Sequence, residues 1–287
     1  MAWFILSLLG AFLDATYYMF LKKYLKNIDQ HVLASGIYLF SFVVLITISF
    51  IKGLPAVQEG FFLTLSITVG INLIAIILLL KAFITTDLSL TVPMMSFTPA
   101  FLILTSFLIL GEFPTLIGIA GIALIVIGSY VLNLNVKKKG LLYPFKELFR
   151  NKGTLFMLIV AFLFSISSNY DKLTVLKSDP VFSTAMFCLS LGLLFFIISL
   201  AKKKQVLSIY QDNFYRFLLI AAILSVGGIA VNSALTMQIV PYVLSIKRIS
   251  IIFGVIYGFW IFKEKHMLNR AVGAVIMLLG AVMIIAF

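Results

Sequence analysis

Apolar residues fill this chain in ten runs, near residues 2–21, 31–51, 61–83, 88–111, 115–134, 154–172, 180–201, 216–238, 241–262 and 267–287, with short polar stretches between them. A run of about 20 apolar residues, wound as a helix, matches the thickness of a bilayer's hydrocarbon layer. In hydrocarbon each backbone amide needs a partner within its own segment, so runs of this length predict helices. No stretch alternates apolar and polar positions as a barrel strand does. The predicted fold class is therefore an all-α membrane protein of ten transmembrane helices. The opening run, MAWFILSLLGAFLDATYY, has neither a cationic leader nor a small-residue cleavage pattern, and reads as a first spanning helix, not a signal peptide.

Composition agrees with the pattern. Of the 287 residues 62% are hydrophobic and only 11% charged, with a mean hydropathy of +1.17. Soluble domains carry roughly a quarter charged residues, so the solvent for this surface is lipid. The net charge of +12 does not form one face that could grip nucleic acid. The cations sit in clusters between runs: Lys22, Lys23 and Lys26; Lys137, Lys138 and Lys139; Lys202, Lys203 and Lys204. Of the 22 Lys and Arg, 17 follow odd-numbered runs, three follow even-numbered runs, and two, Lys247 and Arg248, lie inside the ninth. Such a bias marks the cytoplasmic side and predicts both termini outside the cytoplasm, in a multi-pass protein of the cell membrane. The lone cysteine, Cys188, lies in an apolar run, which excludes a disulfide framework and a thiolate metal site.

Shifting the sequence by 152 residues puts Glu112 on Glu264, Gly121 on Gly273, Gly128 on Gly280 and Ala82 on Ala234. Near the first and sixth runs the shift becomes 150, with Lys22 on Lys172 and Asp29 on Asp179. Each half then holds five helices, residues 1–135 and 153–287, joined by a basic linker over 136–152. An odd number of helices per half makes the second copy enter the membrane upside down, an inverted repeat of the kind secondary transporters use. The linker, NVKKKGLLYPFKELFRNKG from Asn135, is either a solvated connection or a short interfacial helix that Pro144 would weaken.

The segment from Leu90, LTVPMMSFTPAFLILTSFLILGEFPTLIGIAGIALIVIGSYV, resembles the EamA-like domain of the drug/metabolite transporter superfamily. It has that pattern's proline-containing polar helix, the Gly-Glu pair ending it and a glycine-spaced helix after it. The segment from Val240, VPYVLSIKRISIIFGVIYGFWIFKEKHMLNRAVGAVIMLLGAVMI, looks like a second copy. The resemblance implies two inverted five-helix repeats around a central cavity lined by helices 1–4 and 6–9, with no cofactor. The copies differ in that Pro93 and Pro99 have no proline counterparts at Ser245 and Ile251. Several relatives keep both termini in the cytoplasm, opposite to the orientation that the charges predict here.

Ionisable groups within a bilayer are costly, which makes each one a functional candidate. Asp14 stands about 18 Å into the first helix, and Lys247 and Arg248 about 9–11 Å into the ninth from the same side. Tyr17 and Tyr18 share the face of Asp14. Asn72, Ser96, Thr98, Ser168, Asn169, Asn232 and Ser245 complete a set of intramembrane polar groups that fits a water-filled cavity. Adjacent Lys and Arg offer a point charge and a bidentate fork, suited to carboxylate or phosphate. The pair also resembles the Lys-Arg of plastid phosphate translocators, where it binds the substrate's phosphate. Lys247 and Arg248 either bind an anionic group of the substrate or supply a permanent partner to Asp14. Substrate-lining residues would be Asp14, Tyr18, Asn72, Ser96, Asn232, Lys247 and Arg248.

Glu112 and Glu264 stand at helix ends by tight turns, where capping the next helix competes with proton coupling or catalysis. Gly254 with Gly258, and Gly121 with Gly128, form small-residue faces suited to close packing. Lys81, Asp171 and Lys172 are expected near an interface. His31 and His266 stand in no metal-ligand spacing, and no nucleophile–base pair or phosphate loop is present. These observations predict a transporter and not an enzyme. Its substrate would be a small polar or anionic metabolite moved by alternating access, with efflux of cationic compounds through Asp14 as the alternative. Its surroundings would be lipid, its oligomeric state monomer or homodimer, with room for a coupling ion.

Overall fold

The computed structural model describes residues 1–24, 28–85, 93–133, 151–202, 205–261 and 268–286. Over these the chain is helical, with no strand among the described residues. In chain order the helices are α1 (Ala2–Tyr24), α2 (Gln30–Lys52), α3 (Phe61–Thr85), α4 (Thr98–Leu110), α5 (Leu116–Asn133) and α6 (Lys152–Leu176). They continue as α7 (Pro180–Ala201), α8 (Val206–Asp212), α9 (Phe214–Leu235), α10 (Val240–Lys247), α11 (Ser250–Trp260) and α12 (Leu268–Ala286). Among the described residues eight stretches are long and apolar enough to cross a membrane, and two shorter apolar helices, Leu116–Leu132 and Arg270–Ala286, accompany them. The linker up to residue 150, Glu264 and His266 lie outside the described residues.

Local chemistry sets the helix ends. Asp29 accepts a hydrogen bond from the His31 amide at the start of α2, and Asp179 accepts from the Val181 and Phe182 amides at the start of α7. These are N-caps, where a side-chain oxygen satisfies amides that have no partner one turn back. Pro180 follows at the first helical position, where its missing amide costs nothing. Gly111 ends α4 with φ +68°, a left-handed conformation that glycine adopts without strain.

The ninth run is not one helix. It breaks at Arg248–Ile249 into α10 and α11, and the break is tightened into 3₁₀ geometry: the amides of Arg248, Ile249, Ile251 and Ile252 bond to Ser245, Ile246, Arg248 and Ile249. The fourth run breaks likewise at Ser96–Phe97, whose amides bond to Pro93 and Met94. The 152-residue shift maps Ser96–Phe97 onto Arg248–Ile249, so both halves break at one register although only the first has prolines there. Three other details depart from the sequence expectation. α6 runs four residues further than its apolar run, to Leu176, because Asp171 and Lys172 find polar partners within the fold. The seven-residue α8 precedes α9. Gly254 is exposed, with open space where a side chain would begin, so the close packing expected at Gly254 and Gly258 is absent at the former.

Four pairings dominate the packing: α5 with α12, α3 with α6, α2 with α7, and α1 with α9. α4 also leans on α6, and α10 and α11 on α1. The α5–α12 seam is the tightest. A Cβ at Gly121 would lie 2.7 Å from the Gly280 carbonyl oxygen, and one at Gly273 would lie 2.5 Å from that of Gly128. Gly121 meeting Gly280 and Gly128 meeting Gly273 means that the two helices run antiparallel.

Candidate functional site

A cavity of about 320 Å³ lies between these pairs. Its walls come from α1, α2, α3, α4, α6, α7 and α9, together with the Lys247–Arg248–Ser250 break between α10 and α11. Asp14, Tyr18, Asn72, Asn232, Lys247 and Arg248, drawn from runs far apart in sequence, all line it. Ser96 does not: it is buried in the break before α4, and its hydroxyl has no hydrogen-bond partner. The shift equates it with Arg248, so one break sends a guanidinium into the cavity and the other withholds a hydroxyl from it. Thr98 and Ser168 line the cavity as well. Asn169 and Ser245 bond elsewhere, Asn169 to Ser106 and Thr105 on α4 and Ser245 to the Pro241 carbonyl.

Charge is arranged unevenly. The Lys247 ammonium stands 3.8 Å from an Asp14 carboxylate oxygen, with a third and a quarter of the two side chains exposed. A pair this open to the cavity contributes little to stability and is free to exchange partners. Arg248 makes no hydrogen bond or ion pair through its guanidinium among the described residues; Asp14 and Tyr18 act on it only through space. Tyr17 and Tyr18 stack edge to face at 5.0 Å beside Asp14.

In the same cavity a hydrogen-bonded network without a cation joins α3 to α6. Asn72 donates to the Ser167 hydroxyl at 2.7 Å and to the Thr68 hydroxyl oxygen at 3.2 Å, and Thr68 donates to Asp171 at 2.5 Å. Asp171 was expected near an interface, yet it lines the cavity. Its spacing from Ser167, Ser168 and Thr174 is that of one helical face, and this was the signal available in the sequence. Tyr38 and Cys188 line the cavity as well, beyond the lining set that the sequence predicts.

One end of the cavity is fastened by polar contacts. Lys172, also expected near an interface, is 8% exposed. Its ammonium reaches Glu112 at 2.5 Å and the Gln238 carbonyl at 2.7 Å. The other oxygen of Glu112 accepts from the Val240 amide at 2.8 Å, so Glu112 supports the start of α10 and not the helix that follows it. That next helix, α5, is capped by Thr115, whose hydroxyl accepts from the Gly118 amide. On the same face Lys177 donates to the Glu59 carbonyl, and the Gln58 amide donates to the Lys177 carbonyl. Pro93 is buried where the described part of the fourth span begins, and Pro99 stands at the first turn of α4.

An all-helical fold with many apolar spans, here around a charged cavity, is that of a multi-pass membrane protein. The profile of the EamA-like transporter family matches residues 1–134 and again 151–286, and the chain belongs to that family. A solved crystal structure superposes on it with a TM-score of 0.78 at 13% sequence identity, over 98% of this chain and 95% of the other, a likeness of fold alone. No curated protein matches the sequence.

Proposed function

We propose that this transporter is a secondary carrier that moves a small anionic or polar metabolite by alternating access between two inverted five-helix repeats. The observation that carries the reading is the Lys247–Arg248 pair in a helix break, facing a cavity walled by both halves, with the guanidinium uncommitted. Interrupted helices at corresponding positions of two repeats are where carriers of this architecture bind substrate. The antiparallel glycine seam, the matched breaks and the exchange of partners support the inverted pairing: α3 with α6 answers α9 with α1, and α4 with α6 answers α10 and α11 with α1. The bias of cations toward odd-numbered connections supports termini outside the cytoplasm and a cytoplasmic linker over 136–152.

A guanidinium fork beside an ammonium suits carboxylate or phosphate, and the tyrosines and asparagines suit the polar remainder of a metabolite. Asp14 would hold Lys247 while the site is empty and release it to an arriving anion. A thermal-shift screen of purified protein against amino acids, organic acids, sugar phosphates and nucleotide sugars finds the class. A ligand at a hundred times its Kd stabilises the native state by about 2.7 kcal/mol. Proteoliposomes then test transport. Lys247→Ala and Arg248→Ala are expected to abolish uptake while the protein remains inserted and folded; uptake at the wild-type rate in either variant overturns the role. The cation-efflux reading draws on Asp14 at the cavity wall. It predicts that Asp14→Asn stops transport and Lys247→Gln does not.

A further inference from the structure

We infer that Asp171 is a proton-binding site of the cavity, linked through Lys247 to occupancy of the anion-binding pair; the linkage rests on the anion-carrier reading above. Asp171 stands five residues before the end of α6, about 8 Å of helix rise, and Lys247 seven residues into α10, about 10 Å. The ends from which these are measured share a face, since Lys172 of α6 bonds to the Gln238 carbonyl just before α10. The carboxylate and the ammonium are therefore at similar depth, and both line the one cavity.

The surroundings of Asp171 are otherwise neutral. Its hydrogen-bond donor is the Thr68 hydroxyl, itself held by Asn72. Among the described residues no cation stands within ion-pair distance of it. Lys172, its neighbour in sequence, is turned away to Glu112. The elements around the cavity present Tyr38 from α2, Cys188 from α7 and Lys247 from α10; α3, α4 and α9 present uncharged groups, and Asp14 and Arg248 line the same cavity. A carboxylate within a bilayer and without a cation is favoured in its neutral form. Lys247 opposes that, and Lys247 is shared with Asp14.

The consequence is a coupling with a definite sign. A proton from water adds to the Asp171 carboxylate and no other bond is made or broken. An anion on Lys247 and Arg248 cancels the field that resists this proton, so anion and proton bind cooperatively, each raising the other's affinity by one factor. Among the described residues the empty cavity holds two carboxylates and two cations. Loaded with one proton and one monovalent anion, it has the same net charge. The geometry points to one proton moving with each such anion.

Infrared titration of the purified protein in lipid nanodiscs, without substrate, tests the site independently of any transport reading. The expected result is one carboxyl that protonates between roughly pH 5 and 8. It disappears in Asp171→Asn and moves to higher pH in Lys247→Gln. A carboxyl band that persists unchanged in Asp171→Asn, or none titrating in that range, overturns the proton site. Stabilisation by sodium chloride over potassium chloride that Asp171→Asn removes, with no carboxyl titrating, would make it a sodium site and likewise overturn the inference. The linkage is read from the anion that gives the largest thermal shift. Its affinity should rise as pH falls in the wild type and vary by less than twofold in Asp171→Asn; equal pH dependence in both overturns the linkage. If no anion shifts the melting point, the carrier reading and the linkage fall, while the infrared result still decides the proton site.

Discussion

The α5–α12 seam and the central cavity use the two halves of the sequence in opposite ways. At the seam the 152-residue shift relates identical residues, and the contacts are reciprocal: Gly121 against Gly280, Gly128 against Gly273. In the cavity the same shift relates unlike residues. Lys247 answers to Met95 and Asn72 to Leu224, and by the 150-residue shift Asp14 answers to Phe164; all six line the one cavity. Asp171 answers to Leu21 and Asn232 to Leu80. Close backbone approach tolerates little but glycine, so packing keeps the halves alike. The cavity lining is under no such constraint, and there the polar or charged group stands in one copy of each pair.

Substitutions should separate these roles, with stability effects at the matched positions and ligand effects at the unmatched ones. The largest loss is expected from Lys172→Met, which leaves the largely shielded Glu112 carboxylate without its cation. Breaking one side of a buried pair costs about 3–5 kcal/mol, visible as a lower Tm in detergent. Next comes Gly273→Val, whose Cβ would lie 2.5 Å from the Gly128 carbonyl oxygen. Overpacking of this kind costs about 1–3 kcal/mol by the same measurement. Gly254→Ala should act in the opposite direction, because nothing stands within 4 Å of the added carbon. Alanine in place of a mid-helix glycine stabilises by up to about 1 kcal/mol. Arg248→Gln should change the melting point least, within about 0.5 kcal/mol, since it leaves no partner unpaired. It should nonetheless remove the shift that an anionic ligand produces. A large loss of Tm in Arg248→Gln, or none in Lys172→Met, would collapse the contrast between scaffold and site.

Helix positions were legible because lipid allows few alternatives: long apolar runs leave the backbone no partner but itself. Asp14, Lys247 and Arg248 were legible for the same reason, since charge in such a run demands explanation. The helix breaks were not. Apolar residues continue across Ser96–Phe97 and Arg248–Ile249, and only the first break carries prolines, so hydropathy passes over both. Ser96 lies in such a break, outside the cavity wall where the sequence expects it. Asp171 is hidden in the sequence because the apolar run ends beside it, whereas hydrogen bonds to Thr68 and Glu112 carry α6 past the charges. The partner of Glu112 lies across the molecule on α6 and α10, a relation that no local spacing contains.

Cys188, the chain's single cysteine, lines the cavity and supplies a direct probe. The decisive measurement is the rate at which a small thiol reagent labels Cys188, with and without the anion that most raises the melting point. Slower labelling with the anion in the wild type, and an unchanged rate in Lys247→Gln and Arg248→Gln, is the result expected if the paired cations hold the substrate in this cavity. Labelling that the anion leaves untouched in the wild type, or protects equally in both variants, would contradict it.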